Sequence, residues 1–224
     1  MKTTAILVAA GSSQRMGFDK LAAPIDGKPV LARTLDAFLA CEAITEILVI
    51  CPPERFSLLD ESTFTKPVRR IDGGAARHLS VANGLAAVSP NAELIAIHDA
   101  ARPLVSQPDI LATIAAASEH GAAALARRVT ETLKRSDESD FTTVAVPREN
   151  LWFIETPQIF KVDLIQSAYA HVLENDLSVT DETSALEAIG VKTKLVPSTS
   201  PNPKITTPAD LAGLDSDLPS STDH

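Results

Sequence analysis

Apolar and polar positions along the chain alternate between a short rhythm and a long one. Thr4-Ala-Ile-Leu-Val-Ala9 is apolar after its first residue, which predicts a strand buried on both faces. A polar loop follows. Pro29 is then placed for a first helical turn, and Val30, Leu31, Thr34, Leu35, Phe38 and Leu39 recur at helical spacing, predicting an amphipathic crossover helix. Ile47 to Cys51, Val68 to Ile71 and Leu94 to His98 repeat the short pattern, with a helical stretch from Arg77 to Val88 before the last of them. Parallel strands joined by helices produce this alternation, and it holds to about residue 126.

From Thr130 to about Ile154 polar and β-branched residues surround Arg135-Ser-Asp-Glu-Ser-Asp140, which predicts a protruding hairpin of two exposed strands. Helical patterning resumes from Val162 to Leu173 and again after Thr180, whose hydroxyl, followed by Asp181 and Glu182, is expected to cap the second helix. A strand from Lys192 to Val196 and a short helix near Pro208 to Leu214 complete the pattern. Residues 215–224 are polar and acidic with little to bury, which predicts a disordered tail. No internal repeat or second composition block divides the chain, so 1–214 reads as one domain with an α/β, mostly parallel sheet.

Composition narrows the partners. The 224 residues carry 20 Lys+Arg against 29 Asp+Glu, a formal net charge of -9, so the overall field repels polyanions and no nucleic-acid partner is expected. An anionic ligand must therefore meet a local cluster of cations. No apolar run approaches the ~18 residues of a membrane helix, and the start of the chain leads into a strand rather than a presequence, so a cytoplasmic protein without a membrane partner is expected. Cys41 and Cys51 lie in apolar or strand-like contexts without C-x-x-C spacing and read as core thiols.

The first strand runs into Ala9-Ala-Gly-Ser-Ser-Gln-Arg-Met-Gly-Phe-Asp-Lys20, at the strand end where open α/β sheets bind ligands. Gly11 allows close backbone approach to a phosphate, exposed N–H groups of such a loop form an anion nest, and Arg15 and Lys20 add charge. The loop is neither a P-loop nor G-x-G-x-x-G, and read alone it is also compatible with an ordinary strand-to-helix turn. Asp99, in Ile97-His-Asp-Ala-Ala-Arg-Pro103, falls at the same sheet edge. There it can hold Mg²⁺ with phosphate oxygens or simply cap a turn beside Arg102. His98 reads as a packed, hydrogen-bonded histidine. The segment from Gly73 to Ser80 opens a helix after the third strand and can read a base edge or ribose, or serve only as a cap. Lys204 follows the last strand and can return to the same edge.

In order along the chain, these pieces are Ala9-Ala-Gly…Arg15-Met, Lys20, Gly73-Gly…Arg77…Ser80, His98-Asp-Ala-Ala-Arg-Pro103, Thr132…Lys134, Arg148, Thr156-Pro-Gln-x-Phe160, Thr180-Asp-Glu-x-Ser184-Ala-Leu-Glu187 and Lys204-Ile-Thr. The set resembles the 2-C-methyl-D-erythritol 4-phosphate cytidylyltransferase family over nearly the whole chain. The resemblance implies a Rossmann-like, three-layer nucleotidyltransferase fold with a protruding β-arm, working as a homodimer in which each arm reaches the neighbour's site. It implies that Ala9, Ala10, Gly11 and Ser12, with Gly74 to Ser80, bind CTP, and that Arg15 and Lys20 contact its triphosphate. Arg15, Lys20 and Lys204 are the candidate catalytic residues. Asp99 matches a magnesium-site carboxylate, and Arg102, Thr132, Arg148, Thr156 and Lys204 match the sugar-phosphate pocket. The sequence departs from the family with Asp19-Lys-Leu21 where Pro-Lys-Gln is usual, with Ala75, with Arg127-Arg128 and with Pro201-Asn-Pro203.

The implied reaction is in-line attack by a phosphate monoester on the α-phosphorus of CTP, driven by positioning and charge. Ribitol 5-phosphate is the rival acceptor. A non-catalytic nucleotide-binding regulator is the rival class, disfavoured because binding alone does not require Arg15, Lys20, Asp99 and Lys204 together. A nicotinamide-dependent oxidoreductase fails for want of G-x-G-x-x-G.

Overall fold

The computed structural model describes residues 2–11 and 16–217. Strand β1 (Thr3–Val8) is the axis of the molecule: parallel β4 (Ile44–Ile50) lies on one side of it and parallel β6 (Leu94–Asp99) on the other. Beyond β4 comes parallel β5 (Val68–Ile71). Beyond β6 lies β10 (Trp152–Lys161), antiparallel to both β6 and β7 (Ala122–Arg128), and β11 (Lys194–Pro197) closes the far edge parallel to β7. The central sheet of the described residues thus has the order β11-β7-β10-β6-β1-β4-β5, parallel except for β10.

Successive side chains of a strand point to opposite faces, and β1 shows what that does here. Ala5 and Leu7 enter one core with α1 (Val30–Leu39) and α4 (Gln107–His120). Ile6 enters the other with α3 (Arg77–Ala86), α5 (Val162–Glu174) and α6 (Glu182–Ala188). A sheet apolar on both faces and covered by helices on both is the expected three-layer α/β arrangement. All six residues at the helical spacing of α1 are buried, and the Thr34 hydroxyl donates to the Ala100 carbonyl at 2.8 Å, tying the helix to the end of β6. Lys66 closes the other end of α1, donating to the carbonyls of Cys41 at 2.7 Å and Ile44 at 2.8 Å. Cys41 and Cys51 are free and buried, and burial pushes the Cys51 thiol up to about 11.

Several boundaries differ from those the pattern predicts. The polar loop before α1 contains a small hairpin, β2 (Pro24–Ile25) and β3 (Lys28–Pro29). Asp26 and Gly27 both have positive φ at its turn, which is the Asp-Gly signature of a two-residue hairpin. The protruding arm is narrower than 130–154. Its strands are β8 (Leu133–Ser136) and β9 (Thr142–Val146), while Trp152 to Ile154 belong to β10 and pair with β7. The cap of α6 is Asp181, whose carboxylate accepts from the Ser184 N–H at 3.0 Å, not Thr180, whose hydroxyl meets the Ser184 hydroxyl. The last helix, α7 (Pro208–Asp217), runs three residues into the segment expected to be a disordered tail, and residues 218–224 lie outside those described. A four-residue helix, α2 (Pro53–Phe56), follows β4. Among the described residues no helix is long and apolar enough to cross a membrane.

Candidate active site

Parallel pairing aligns strand ends. Val8 of β1 is in register with Ile50 of β4 and with Asp99 of β6, so the loop leaving β1 and the carboxylate ending β6 share one edge. The turn from β5 into α3 meets the same edge. There the Ser80 hydroxyl accepts from the Gly74 N–H at 3.0 Å and lies 3.0 Å from the Ala76 carbonyl, folding residues 73–76 into a tight turn. The turn packs so closely that a Cβ on Gly73 would sit 2.5 Å from the Ala10 Cβ, and one on Gly74 would sit 2.6 Å from the Leu79 Cβ. The result is a cleft of about 340 Å³ bounded by Ala9 to Gly11, Lys20, the Gly74 turn, Arg77, Asp99 and Lys204.

Arg55, on α2, fixes this cleft's first loop. Its guanidinium donates to the Ala9 carbonyl, to the Gly11 carbonyl at 3.2 Å and to Asp19 at 2.8 Å, so one buried cation holds both ends of the loop. Asp19 is a departure from the family pattern, and Arg55 is its partner. Lys20 donates to the Ile205 carbonyl at 2.7 Å, which joins the loop to the chain returning from β11.

Asp99 is the electrostatic centre. Lys204 donates to its Oδ2 at 2.7 Å, Arg77 reaches its Oδ1 from Nε at 3.3 Å and Nη2 at 3.2 Å, and Arg102 Nε lies 4.0 Å away. Burial works against the Asp99 anion, but Arg77, Lys204 and Arg102 outweigh it and hold the carboxyl well below the usual carboxylate range. The Asp99 backbone N–H donates to the Thr156 hydroxyl at 3.1 Å, and that hydroxyl lies 3.0 Å from His98 Nδ1. His98 Nε2 faces the Arg102 carbonyl at 3.1 Å, which assigns the ring proton to Nε2 and the acceptor role to Nδ1. His98 is thus the packed, hydrogen-bonded histidine expected. Burial lowers it to about 4, so it is neutral near pH 7.

A second, wider cleft of about 770 Å³ opens on the other side of Lys204, with Arg102, Arg127, Arg128 and the segment from Ser198 to Pro203 along its walls. Arg127 stacks 4.2 Å from the Phe153 ring centre and Arg128 4.3 Å from that of Trp152. Glu155 is buried at the boundary of this cleft, 3.7 Å from Arg127 Nε, and accepts from Asn202 Nδ2 at 3.3 Å. Burial raises its carboxyl above the ordinary value despite Arg102 and Arg127. β10 loses register against β7 between Ile154 and Gln158, and this irregularity carries Glu155 and Thr156 to the site.

The structure therefore brings together Ala9, Ala10, Gly11, Lys20, Gly74, Ser80, Asp99 and Lys204 around one cleft and places Arg102 on the next. Thr156 sits between them, but its hydroxyl is engaged by His98 and the Asp99 N–H. Ser80 is likewise engaged in shaping the turn. Thr132 and Arg148 lie exposed at the base of the arm and line neither cleft, with Arg148 donating to the carbonyl of Thr130, which lines the second. Ser12 and Arg15 fall outside the described residues. Arg55, Glu155 and Tyr169 are absent from the sequence-based set, and Glu182, in a quoted motif, and Arg127, among the departures, had no site role assigned. Arg77 belongs to the quoted motif but had no role assigned.

A single carboxylate at the edge of such a cleft suits Mg²⁺ where phosphate oxygens and water complete the shell, since that ion typically binds through one or two carboxylates together with them. Among the described residues no group of three or more His, Cys, Asp or Glu side chains could hold a metal ion, so Asp99 fits that ion only in company with a bound triphosphate.

The family model described as 2-C-methyl-D-erythritol 4-phosphate cytidylyltransferase matches residues 3–218. The chain is 40% identical over 218 residues to the 2-C-methyl-D-erythritol 4-phosphate cytidylyltransferase of Caldanaerobacter subterraneus subsp. tengcongensis, covering 94% of this chain and 96% of that one. It is 37% identical over 217 residues to the enzyme of the same name from Alkaliphilus oremlandii, covering 94% and 92%. Its fold is similar to the crystal structure of the 4-diphosphocytidyl-2C-methyl-D-erythritol synthase of Anaerococcus prevotii, with a TM-score of 0.84 at 29% identity over 96% of each chain. It is also similar to the 2-C-methyl-D-erythritol 4-phosphate cytidylyltransferase of Thermus thermophilus, with a TM-score of 0.81 at 31% identity over 96% and 98%. With a mixed, mostly parallel sheet, a cleft at its strand ends and similarity over almost its full length, this chain belongs to the 2-C-methyl-D-erythritol 4-phosphate cytidylyltransferase family of nucleotidyltransferase enzymes.

Proposed function

We propose that this enzyme joins CTP to 2-C-methyl-D-erythritol 4-phosphate, giving 4-diphosphocytidyl-2-C-methyl-D-erythritol and pyrophosphate in isoprenoid precursor synthesis by the non-mevalonate route. The observation that carries the reading is Lys204, whose side chain lies between two clefts, one walled by glycine-rich turns and the other by cations. CTP occupies the first, against the Ala9–Gly11 backbone and the Gly74 turn. The acceptor phosphate enters from the second, where Arg102 and Arg127 attract it. A non-bridging oxygen of that phosphate attacks the α-phosphorus in line, the α–β bridging bond breaks, and its electron pair leaves on pyrophosphate. No proton transfer and no covalent enzyme intermediate are needed.

Lys20, Arg15 and Lys204 offset the charge that develops on the phosphorus and leaving group. Lys204 exchanges its Asp99 partner for phosphate as the substrates enter. Asp99 together with the triphosphate would hold Mg²⁺, which would add to the neutralisation of the phosphates. The chemistry takes place within a single domain, expected over 1–214 and carried by α7 to Asp217. The acidic chain with two unpaired buried cysteines suits the reducing cytosol. The arm supports a homodimer through its exposed apolar residues, Phe141 at 72% exposure and Val144 at 53%.

The test is pyrophosphate release with each nucleoside triphosphate crossed against a panel of polyol phosphates. Fast release is expected only with CTP and methylerythritol phosphate in the presence of Mg²⁺. Equal or faster release with ribitol 5-phosphate would overturn the acceptor assignment. No release with any pair would overturn the enzyme reading.

A further inference from the structure

We infer that Glu182 is a positioning residue for this reaction, a buried counter-charge that holds Arg77 and thereby keeps the Asp99 carboxylate available to a divalent cation. Glu182 lies at the start of α6 with none of its surface exposed, and a carboxylate is almost never so deeply buried unless paired. Its partner is Arg77, distant in sequence, which donates from Nη1 to Oε1 at 2.6 Å and from Nη2 to Oε2 at 3.1 Å. The Tyr169 hydroxyl donates to Oε1 at 3.0 Å, and the Gln158 side-chain oxygen accepts the Glu182 backbone N–H at 3.2 Å. These bonds fix the glutamate from three elements, α3, α5 and β10.

The guanidinium fork of Arg77 is planar and rigid, so fixing one edge fixes the other. That other edge, Nε and Nη2, lies 3.2 to 3.3 Å from Asp99 Oδ1 on the cleft side. One cation thus spans two carboxylates. Asp99, Arg77 and Glu182 together carry one net negative charge, offset in the absence of substrate by Lys204 at 2.7 Å and by Arg102, whose Nε lies 4.0 Å from Asp99. When Lys204 and Arg102 turn to phosphates, that negative charge remains on Asp99 for a metal. If Glu182 is made neutral, Arg77 cancels Asp99 outright and the metal loses its attraction to the site. A purely structural tie among α3, α5 and α6 predicts no such effect.

The inference rests on the proposed reading of the nucleotide cleft, and the experiment separates the two. Mn²⁺ is titrated, with electron paramagnetic resonance detecting the free ion, into full-length enzyme complexed with a non-hydrolysable α,β-methylene analogue of CTP. Glu182→Gln is expected to raise the Mn²⁺ dissociation constant about tenfold (about 1.4 kcal/mol). It should lower kcat about tenfold and leave the acceptor KM within about twofold of wild type, because the second cleft is untouched. Tyr169→Phe keeps the charge but loosens the carboxylate, and it should move the same constants about two- to threefold in the same direction. Should Glu182→Gln not fold, as judged by circular dichroism and thermal unfolding, Tyr169→Phe carries the test alone. A folded Glu182→Gln with wild-type Mn²⁺ affinity, or a Tyr169→Phe unchanged in both constants where it stands alone, would reduce the network to a structural tie. Weakened Mn²⁺ binding in a protein whose wild type turns over no acceptor would sink the proposed reaction and leave this inference standing.

Discussion

His98 is fully buried beside the Phe38 ring, with Thr156 on one ring nitrogen and the Arg102 carbonyl on the other, so the fold requires its neutral form. Burial lowers the folded value to about 4 from 6.5, and that gap sets a pH window. Above 6.5 the ring is neutral in both folded and unfolded chains and contributes no pH dependence. As the pH falls from 6.5 toward 4, the unfolded chain takes up a proton that the folded chain refuses. Stability then drops by about 1.4 kcal/mol per pH unit, reaching a loss of about 3 kcal/mol near pH 4. Asp99, next in sequence, acts in a different range: its carboxyl is depressed from 3.8, so its contribution is lost only as the pH falls below that value. The measurement is urea unfolding of wild type and His98→Gln at about pH 7, 5.5 and 4.5. Glutamine can donate to the Arg102 carbonyl but cannot titrate. It is expected to be less stable than wild type at neutral pH, with the gap closing by about 2 to 3 kcal/mol at the acid end. A gap that stays constant across the range would show that the folded protein accommodates the imidazolium, and the hydrogen-bond assignment around Thr156 would fall with it.

Gly74→Ala should open the turn at the proposed nucleotide cleft, because its Cβ would meet Leu79 at 2.6 Å. The expected result is a CTP KM raised at least about tenfold and a loss of roughly 1 to 3 kcal/mol in urea unfolding. Gly11→Ala, with nothing among the described residues within 4 Å of its Cβ, should unfold within about 0.5 kcal/mol of wild type, and equal losses for both variants would refute the close-approach argument. Asp19→Asn weakens the Arg55 clamp on the first loop and should raise the CTP KM several-fold while sparing the acceptor KM. An unchanged CTP KM would make the clamp irrelevant to binding. If the arm serves a partner, mixing inactive Arg148→Ala and Lys20→Ala subunits should restore activity through mixed dimers with one intact site, whereas a fully active monomer by light scattering would exclude sharing.

The features legible in the sequence were those with a local cause. β1 announces itself because a strand buried on both faces cannot alternate, and α1 because its buried face repeats at helical spacing. Asp99 and Lys204 could be placed at one edge because parallel strands bring their carboxyl ends into line. The antiparallel β10 was harder to see. Its first residues continue from the exposed arm, and its buried stretch, Glu155 to Phe160, opens on Glu155 and Thr156 rather than on apolar residues, so the pattern merges it with the hairpin before it. Asp26-Gly27 was a readable turn signal, overlooked because the strands it joins are only two residues each.

The site was legible where it is built from backbone and chain order, and illegible where it is built from paired charges. Glycine at 73 and 74 is demanded by nearby atoms, so a motif reveals it. Nothing near Glu182 in sequence distinguishes a solvated first-turn glutamate, favourable at any helix N-terminus, from one desolvated against an arginine on another helix. Asp181 and Glu182 look alike in the sequence, yet one caps α6 and the other reaches across to Arg77. The difference follows from which side of α6 faces α5 and the sheet, a property of packing rather than of local pattern. The same reasoning explains Asp19. It departs from the family pattern, and the Arg55 guanidinium supplies the partner that makes it a clamp. A carboxylate's role in such a site is set by the cation it meets, and the meeting occurs only after the two cores on either side of the sheet have formed.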